Sequence, residues 1–325
     1  MPNPFGRRLL LTAPAALLAA PALAEAPWPS RPLRIIVPFA PGGPIDQNAR
    51  IVAQPLSEAL GQPVVIENRT GANGAVAAEL VARAPAEGYT LLFSVIHLSV
   101  LPSLMPSLTY DIERDFTHVT LSAYYPIILV VKPESPIHSV AELIAAAKAA
   151  PGTLSYSHSG YGGGTHLAGE LFAMQAGVQL RQIPYRGSAP AMADLLGGHV
   201  DMMFSDAPTA IQPVQAGLLR PLGISTPERS ALMPSLPTIA EQGLPGYSAY
   251  SWGGVSVRAG TPPEIVTRLN TELVKLMHDP GVRERMLKIG AEPRPGTPAE
   301  FSAMIHGEIA KWAEVVRRAD IRIND

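Results

Sequence analysis

Two glycine-containing turns carry the residue types in this sequence that are best suited to binding a small anion. The first, residues 41–46, follows a buried apolar run, and the second, residues 157–166, again joins an expected strand to an expected helix. The first amides of a helix have no partner within the helix, and the helix dipole places partial positive charge there. Both turns are therefore predicted to hold an anionic group.

The side chains of these turns add further chemistry. Glycines in the second turn let the backbone approach a bound group, and Ser159 and Thr165 supply hydroxyls. A nucleotide site is not indicated, because no Gly-Lys-Ser/Thr follows and Gly160-Tyr161-Gly162 lacks the third glycine of the dinucleotide motif. In the first turn Asp46 has two interpretations, a helix N-cap or a partner for a ligand amine.

The sequence motifs of common enzymes are absent from the chain. It has no cysteine, no Gly-x-Ser-x-Gly and no His-Glu-x-x-His, so thiol, serine-hydrolase and zincin chemistry lack their residues. Ser159 beside His158 or His166 is the one pairing of nucleophile and base, and it keeps a secreted hydrolase as an alternative. The two histidines have no carboxylate at ligand spacing. We therefore expect no catalytic residue, no metal and no cofactor.

Short apolar runs alternate with helical patterns along the chain and must position these turns. Such alternation predicts parallel sheets covered by helices, with ligands at the carboxyl ends of the strands. Pro55 is expected to bend the first helix or end it early. Strands are expected at residues 33–39, 63–67, 90–94, 127–131, 154–157, 180–184, 200–204 and 250–257, and helices at 46–60, 140–149, 165–177, 189–196, 265–278 and 298–318.

Composition and charge indicate a soluble globular protein of two domains. The chain has 325 residues, 47% of them hydrophobic and 16% charged, with a net charge of −2, and domains hold roughly 150 residues each. No run of lysine or arginine offers the basic stripe that phosphate backbones require, so nucleic acid is not an expected partner.

The N-terminal residues 1–24 have the features of a secretory signal peptide. Arg7 and Arg8 precede a short apolar run, and Ala22-Leu23-Ala24 supplies a small-x-small cleavage site. Paired arginines suit general secretory export and twin-arginine export equally. We expect cleavage near Ala24 and a periplasmic mature protein.

Six short motifs follow one another in a fixed order from about Trp28 to the C-terminus. They are Pro41-Gly42-Gly43-x-x-Asp46-x-x-Ala49-Arg50, Glu67-Asn68-Arg69-x-Gly71-Ala72, Glu87-Gly88-Tyr89-Thr90-Leu91-Leu92, Tyr185-Arg186-Gly187, Leu195-Leu196-Gly197-Gly198-His199-Val200-Asp201 and Leu236-Pro237-Thr238-Ile239-x-Glu241-x-Gly243. Each motif alone is weak, but together they are specific. The chain resembles the Bug (TctC-type) receptors, the extracytoplasmic solute-binding proteins of tripartite tricarboxylate transporters.

This resemblance implies an α/β fold of the periplasmic binding protein type II class, a Venus flytrap of two α/β domains joined by two crossover strands. Domain 1 is then discontinuous, covering residues 27–128 and 247–325, and domain 2 covers residues 129–246. The hinge is expected near residues 124–130 and 247–252. The two glycine turns then face each other across the cleft of a monomer.

The resemblance also implies which residues contact the ligand. In the family, main-chain amides and hydroxyls of these turns hold the ligand carboxylates, sometimes through water. His166 and Arg186 have a second interpretation, as braces that satisfy backbone carbonyls of the loops. The expected ligand-binding residues are Gly42, Gly43, Asp46, Ser94 and His97 of domain 1, and Ser159, Gly160, Tyr161, Gly162, Thr165, His166, Tyr185, Arg186 and Asp206 of domain 2.

Departures from the family pattern bear on the ligand. His158 and Gly163 replace two serines of the usual Ser-Ser-Gly-x-Gly-Ser, and Tyr161 takes its variable place. The usual Asn-Pro after His97 is absent, and Ser205-Asp206 stands where an acid followed by Asn is common. Tyr161 and His158 offer a flat, partly apolar wall, so aromatic or heterocyclic acids join the di- and tricarboxylates as expected ligands.

The implied function is capture of a small organic carboxylate, with closure stabilised because only the closed form contacts the ligand from both sides. The expected membrane partners are subunits of a tripartite tricarboxylate transporter. The alternative is a sensor that presents its closed form to a membrane kinase, since that role uses the same fold and ligand.

Overall fold

The computed structural model describes residues 28–322, so the expected signal peptide lies outside the described residues. Short 3-10 turns cover Ala72–Gly74 and Ala240–Gln242. The helices and strands follow the order β1 (Leu33–Val37), α1 (Pro44–Leu60), β2 (Val64–Asn68), α2 (Ala75–Ala82), β3 (Thr90–Val95), α3 (His97–Leu104), β4 (Phe116–Val131), α4 (Val140–Ala149), β5 (Ser155–His158), α5 (Gly164–Ala176), β6 (Arg181–Pro184), α6 (Ser188–Gly197), β7 (Met202–Asp206), α7 (Ala207–Gln215), β8 (Arg220–Ile224), β9 (Tyr250–Arg258), α8 (Pro263–His278), α9 (Pro280–Lys288), β10 (Glu292–Pro293) and α10 (Pro298–Arg318).

The strands form a mixed sheet with two halves. The first half has the order β2-β1-β3-β9-β4, with β10 also on β4, and the second has the order β4-β7-β5-β6, with β8 also on β4. The expected parallel pairing holds for β1 with β2 and β3 and for β5 with β6 and β7, whereas β4 and β9 run antiparallel to their neighbours. Antiparallel strands need no helical crossover, so the chain passes between the halves without one.

The β4 strand belongs to both halves. Its residues 116–126 pair with β9, and its residues 127–131 pair with β7. The strand is longer than the one expected at residues 127–131. Its first part was not expected because it carries His118, Thr120 and Ser122, which are buried although polar. Each of these side chains has a hydrogen-bond partner inside the protein. Polar residues satisfied within a sheet do not appear as an apolar run in the sequence.

The hydrophobic core consists of two clusters. The larger cluster runs through the first half and continues beneath α5, and the smaller one includes Ile128, Val130 and Met203 beneath α6 and α7. The C-terminal helix α10 packs against α3 and β4 and also against α5, so it contacts both halves. None of the helices within residues 28–322 combines the length and the apolar character needed to cross a membrane.

The N-cap interpretation of Asp46 is wrong, and of the two effects expected of Pro55 the early end of α1 does not occur. The helix begins at Pro44 with Gly43 as its N-cap, so Asp46 lies inside the first turn instead of capping it. Proline suits the first turn because its missing N–H would have no helical partner there. The helix also continues through Pro55 to its end at residue 60, since Leu56 and Leu60 are buried and their packing holds the last turn.

Candidate functional site

A cavity of about 550 Å³ lies between the two halves, at the carboxyl ends of the parallel strands. Its size is in the range of small-molecule sites. Most of its lining belongs to turns that join a strand to a helix, and the rest comes from β4 and β9. The lining residues are Phe39, Pro44, Ile45, Asn73, Val95, Ile96, His97, Tyr125, Ser159, Gly160, Tyr161, Gly163, Gly164, Ser188, Asp206, Pro208, Thr209, Ser251 and Trp252.

Five helices, α1, α3, α5, α6 and α7, begin at this cavity. None of them has a side chain that caps its first turn; their N-cap residues are Gly43, Ile96, Gly163, Gly187 and Asp206. The first-turn amides of these helices are therefore left for solvent or a ligand.

Helices that begin away from the cavity differ in this respect. In α4, α9 and α10, the side chains of Ser139, Asp279 and Thr297 accept hydrogen bonds from first-turn amides. The α2 and α8 helices, whose N-cap residues are Gly74 and Pro262, have no such cap. Side-chain capping is thus missing from every helix that begins at the cavity and is present in most that begin elsewhere.

The first glycine turn is held together by Asp46. Its Oδ2 accepts from the Gly42 amide and from Arg50 Nε, both at 2.9 Å, and its Oδ1 accepts from Asn68 Nδ2 at 2.8 Å. Burial alone would raise the pKa of the Asp46 carboxyl, but these hydrogen bonds outweigh it and hold the pKa below its usual range. Gly42, Gly43 and Asp46 do not line the cavity, whereas Pro44 does.

The second glycine turn divides into a front and a back. Ser159, Gly160 and Tyr161 line the cavity, and the Tyr161 side chain is 53% exposed. Thr165 is buried behind them, where its Oγ1 lies 2.8 Å from Ser159 Oγ and accepts from the Ser159 amide at 3.0 Å. Gly162 is also buried and does not line the cavity.

His158 and His166 stack behind this turn, with ring centroids 4.4 Å apart. His158 Nδ1 accepts from the Gly160 amide at 3.3 Å, and His166 Nδ1 accepts from the Gly162 amide at 3.1 Å. Burial, followed by the neighbouring imidazole, lowers the pKa of His166 to about 3, and burial lowers that of His158. Both rings are therefore neutral acceptors near neutral pH and support the turn from behind.

Two predicted residues of the first half have different surroundings. His97, the first residue of α3, lines the cavity and meets the Phe39 ring edge-on at 5.1 Å. Burial lowers the pKa of His97 to about 4, so this ring is also neutral. Ser94 is fully buried and donates to Ser256 Oγ at 2.8 Å, within a cluster that includes His118, so its hydroxyl is used inside the first half.

Three predicted residues lie at strand ends in the second half. Asp206 lines the cavity and accepts from Ser188 Oγ at 2.9 Å, and burial raises the pKa of its carboxyl. The Tyr185 hydroxyl donates to Asp194 at 2.5 Å, away from the lining. Arg186 is exposed and does not line the cavity. The ligand roles of all these residues stay predictions.

Several lining residues were not among those predicted from the sequence. Tyr125, Ser251 and Trp252 lie on β4 and β9 where the chain passes between the halves. Ser188 and Pro208 belong to the first turns of α6 and α7. The signal for these two is positional, since the residues just after parallel strands are where ligands collect.

The geometry does not join Ser159 to His158 or His166, the pairing of nucleophile and base expected from the sequence. Ser159 Oγ meets Thr165 Oγ1, while Nδ1 of His158 and of His166 accept from main-chain amides. Within the part of the chain that the structure describes, no group of three or more His, Cys, Asp or Glu side chains is placed to hold a metal ion.

Comparison with known proteins gives a consistent family assignment. Residues 48–321 match the family described as "Tripartite tricarboxylate transporter family receptor". The chain is 39% identical over 308 residues to protein BugT of Bordetella pertussis, which covers 94% of each chain.

Two similar solved structures contain a ligand. The structure of Rpa4515 from R. palustris with adipate is 39% identical to this chain and superposes with a TM-score of 0.75, covering 91% of this chain and 99% of the other. The structure of MatC (Rpa3494) from Rhodopseudomonas palustris with bound malate is 32% identical, with a TM-score of 0.71, and covers 89% of this chain and all of the other. These similarities support the two-domain fold of periplasmic solute-binding proteins.

Proposed function

Since this chain belongs to the tripartite tricarboxylate transporter receptor (TctC) family, we propose that it captures a small organic carboxylate in the cavity between its two halves. Two structural relatives support the ligand class, because one is described with adipate and the other with bound malate. The cavity of about 550 Å³ has the volume that ligands of this size need.

One observation carries the proposal: five helices begin at the cavity without a side-chain cap. Their first-turn amides point partial positive charge and unpaired donors at one region. A carboxylate offers four lone-pair sites, which such amides can satisfy directly or through bridging water.

The scarcity of charged side chains in the lining also favours binding of an anion by main-chain amides. The described lining contains neither lysine nor arginine, and its one charged side chain is Asp206. An anion in this cavity is therefore stabilised by main-chain dipoles and hydroxyls and not by a counter-ion. Hydrogen bonds from preoriented amides to a charged acceptor are stronger than those between neutral groups.

The proposed capture depends on closure of two domains. We assign residues 27–128 and 247–325 to domain 1 and residues 129–246 to domain 2. The β4 strand changes its partner from β9 to β7 between residues 126 and 127, and this change close to the assigned boundary supports it. On the return path the Ser225 amide donates to Ile127 O and the Ala249 amide donates to Ser225 O, so both crossings lie side by side, as a hinge requires.

The proposed site of action is extracytoplasmic. The sequence of residues 1–24 supports export, and the family description supports delivery of the closed, loaded form to membrane subunits of a tripartite transporter. Cargo is released unchanged in this scheme, and no residue of the cavity is assigned a catalytic role.

The first test of capture is a thermal-shift screen of residues 25–325 against dicarboxylates, tricarboxylates, aromatic acids, heterocyclic acids and amino acids. A ligand at 100 times its Kd adds about 2.7 kcal/mol to the free energy of unfolding, which a melting experiment detects readily. We expect a subset of carboxylates to raise the Tm, and the corresponding amides and alcohols to leave it unchanged. Equal shifts from uncharged analogues, or a flat screen on folded, ligand-free protein, would contradict capture of a carboxylate.

A further inference from the structure

We propose that Asp206 makes the cavity selective for carboxylates that carry a protonated nitrogen at the end opposite the carboxylate. This inference rests on the proposed capture of a carboxylate and names the class of ligand. It separates zwitterionic acids from the simple diacids held by the structural relatives.

The surroundings of Asp206 are unusual for an anion-binding cavity. Its carboxylate is half-buried in the lining, and the side chain that contacts it is Ser188, whose hydroxyl donates to Oδ2 at 2.9 Å. The described lining around Asp206 holds no lysine or arginine. A carboxylate that is partly removed from water without a cationic partner favours a cation or a strong donor beside it.

The position of Asp206 in the fold determines which end of a ligand it meets. It is the residue directly before α7, and its carboxylate is bonded to Ser188, the first residue of α6. The beginnings of α6 and α7 are thus already next to a negative charge of the protein. An incoming carboxylate is directed away from Asp206, to α1 and α3 of the first half and to the beginning of α5, which lies against Ser251 of β9. The carboxylate in the first turn of α1, Asp46, is already paired with Arg50 at 2.9 Å.

The rest of a ligand then spans the cavity toward Asp206. Apolar and aromatic side chains, including Phe39, Ile45 and Tyr125, are part of the lining and suit a hydrocarbon chain or a ring. A second carboxylate at the far end lies close to the Asp206 charge. Repulsion between these two negative charges weakens binding most strongly where water is excluded. A protonated nitrogen at the same place gains a charge-assisted hydrogen bond.

One rival uses the same geometry. Burial raises the pKa of the Asp206 carboxyl, and a protonated Asp206 would donate to a second carboxylate and so favour diacids. The two possibilities predict opposite ligand preferences at neutral pH, which makes them separable by binding measurements on one protein.

Two matched pairs of probes test the inference on residues 25–325. The chain pair is 6-aminohexanoate and adipate, and the ring pair is 4-(aminomethyl)benzoate and terephthalate. In each pair a protonated aminomethyl group replaces one carboxylate on the same scaffold. Affinities are measured by isothermal titration calorimetry at neutral pH for the parent, for Asp206→Asn, and for Glu134→Gln as a control. Glu134 is exposed, and its removal changes net charge equally without touching the cavity.

In at least one pair we expect the parent to bind the amino acid about tenfold or more tightly than the diacid. Asp206→Asn keeps the size of the side chain and removes its charge, so the preference should largely disappear, while Glu134→Gln should keep it. Preference of the parent for diacids, in these pairs or in the wider screen, overturns the inference and leaves carboxylate capture standing. Retention of the ammonium preference in Asp206→Asn also overturns it. Failure of every carboxylate to bind is a failure of the proposed function itself.

Discussion

Gly164, the first residue of α5, lies directly against Ser251 of β9, so that a Cβ on Gly164 would overlap the Ser251 hydroxyl oxygen. Both residues line the cavity, and they come from opposite halves of the sheet. Because Gly164 has no Cβ, the beginning of α5 can approach the β9 strand, which contributes to the cavity lining.

Replacing Gly164 by Ala should weaken ligand binding about tenfold or more, because overpacking costs about 1–3 kcal/mol and here it acts between the two halves. Calorimetry with the tightest carboxylate of the screen measures the loss. Gly164→Ala/Ser251→Ala should recover most of it, since the Ser251 Cβ lies at an ordinary 3.5 Å from the added methyl position. Gly307→Ala is the matched control, because nothing lies within 4 Å of that methyl position in α10. An affinity unchanged in Gly164→Ala would show that this contact does not limit binding.

The uncapped start of α5 gives a second prediction. Gly163→Asp supplies a capping carboxylate at the N-cap, which should raise the free energy of unfolding by a few tenths of a kcal/mol or more and at the same time reduce ligand binding strongly. The new carboxylate competes for the amides that we propose the ligand uses. Chemical denaturation and calorimetry measure the two effects.

Two further variants separate charge from shape at this position. Gly163→Asn caps a helix about as well as aspartate without a charge, and Gly163→Ala adds only a methyl group. Binding should fall most in Gly163→Asp and least in Gly163→Ala. Equal losses in all three would mean that crowding, and not occupation of the anion site, explains the effect.

The neutral imidazole of His166 predicts how stability depends on pH. Its pKa of about 3 in the folded protein lies below the usual 6.5, so the unfolded chain binds more protons between these values. Stability from this group is complete above about pH 6.5 and is lost by about 1.4 kcal/mol per unit as the pH falls toward 3. His166→Asn retains an acceptor for the Gly162 amide and does not titrate, so its unfolding free energy should decline less between pH 7 and pH 5.

The difference between variant and parent is the relevant quantity for His166, because neighbouring groups titrate too. His158 contributes with the same sign, whereas burial raises the pKa of Glu170, which lies 3.8 Å from His166 and contributes with the opposite sign. His199→Asn, at an exposed histidine, should follow the parent. Parallel pH curves for His166→Asn and the parent would contradict the prediction.

The exposed ring of Tyr161 should act as a wall for aromatic ligands. Tyr161→Ala removes that surface, and aromatic pairs are worth about 0.5–1.5 kcal/mol beyond the area they bury. We expect benzoate derivatives to lose about two- to tenfold in affinity, while linear acids of similar length change less. Tyr161→Phe keeps the ring and should bind like the parent. Similar losses for ring and chain ligands would assign Tyr161 a role in shaping the loop instead.

The sequence predicted the alternating strands and helices of this fold. Apolar runs followed by helical periodicity located the strands and helices on which the two glycine turns depend, and the order of six motifs identified the family. The turns themselves were found through glycine and hydroxyl content. Five of the predicted site residues line the cavity between the halves: His97, Ser159, Gly160, Tyr161 and Asp206.

What the sequence missed depends on distant partners. The first part of β4 is polar, and its burial becomes possible only because Ser256 and Gly296, far along the chain, supply hydrogen-bond partners. Tyr125 of the lining has its partner far away in the sequence, since Asn48 of α1 donates to its hydroxyl at 2.8 Å. Asp46 illustrates the reverse case, since three partners at residues 42, 50 and 68 occupy its carboxylate and remove it from the cavity.

The amides that we propose bind the anion also bear on how such a receptor can diversify. Amides at the beginnings of α1, α3 and α5 belong to the main chain, so substitution of side chains leaves these donors in place. Positions such as 161 and 206 can therefore vary and retune the rest of the ligand while the capacity to hold a carboxylate persists. In a backbone site of this kind, mutations can change which acid is bound without removing the affinity for acids.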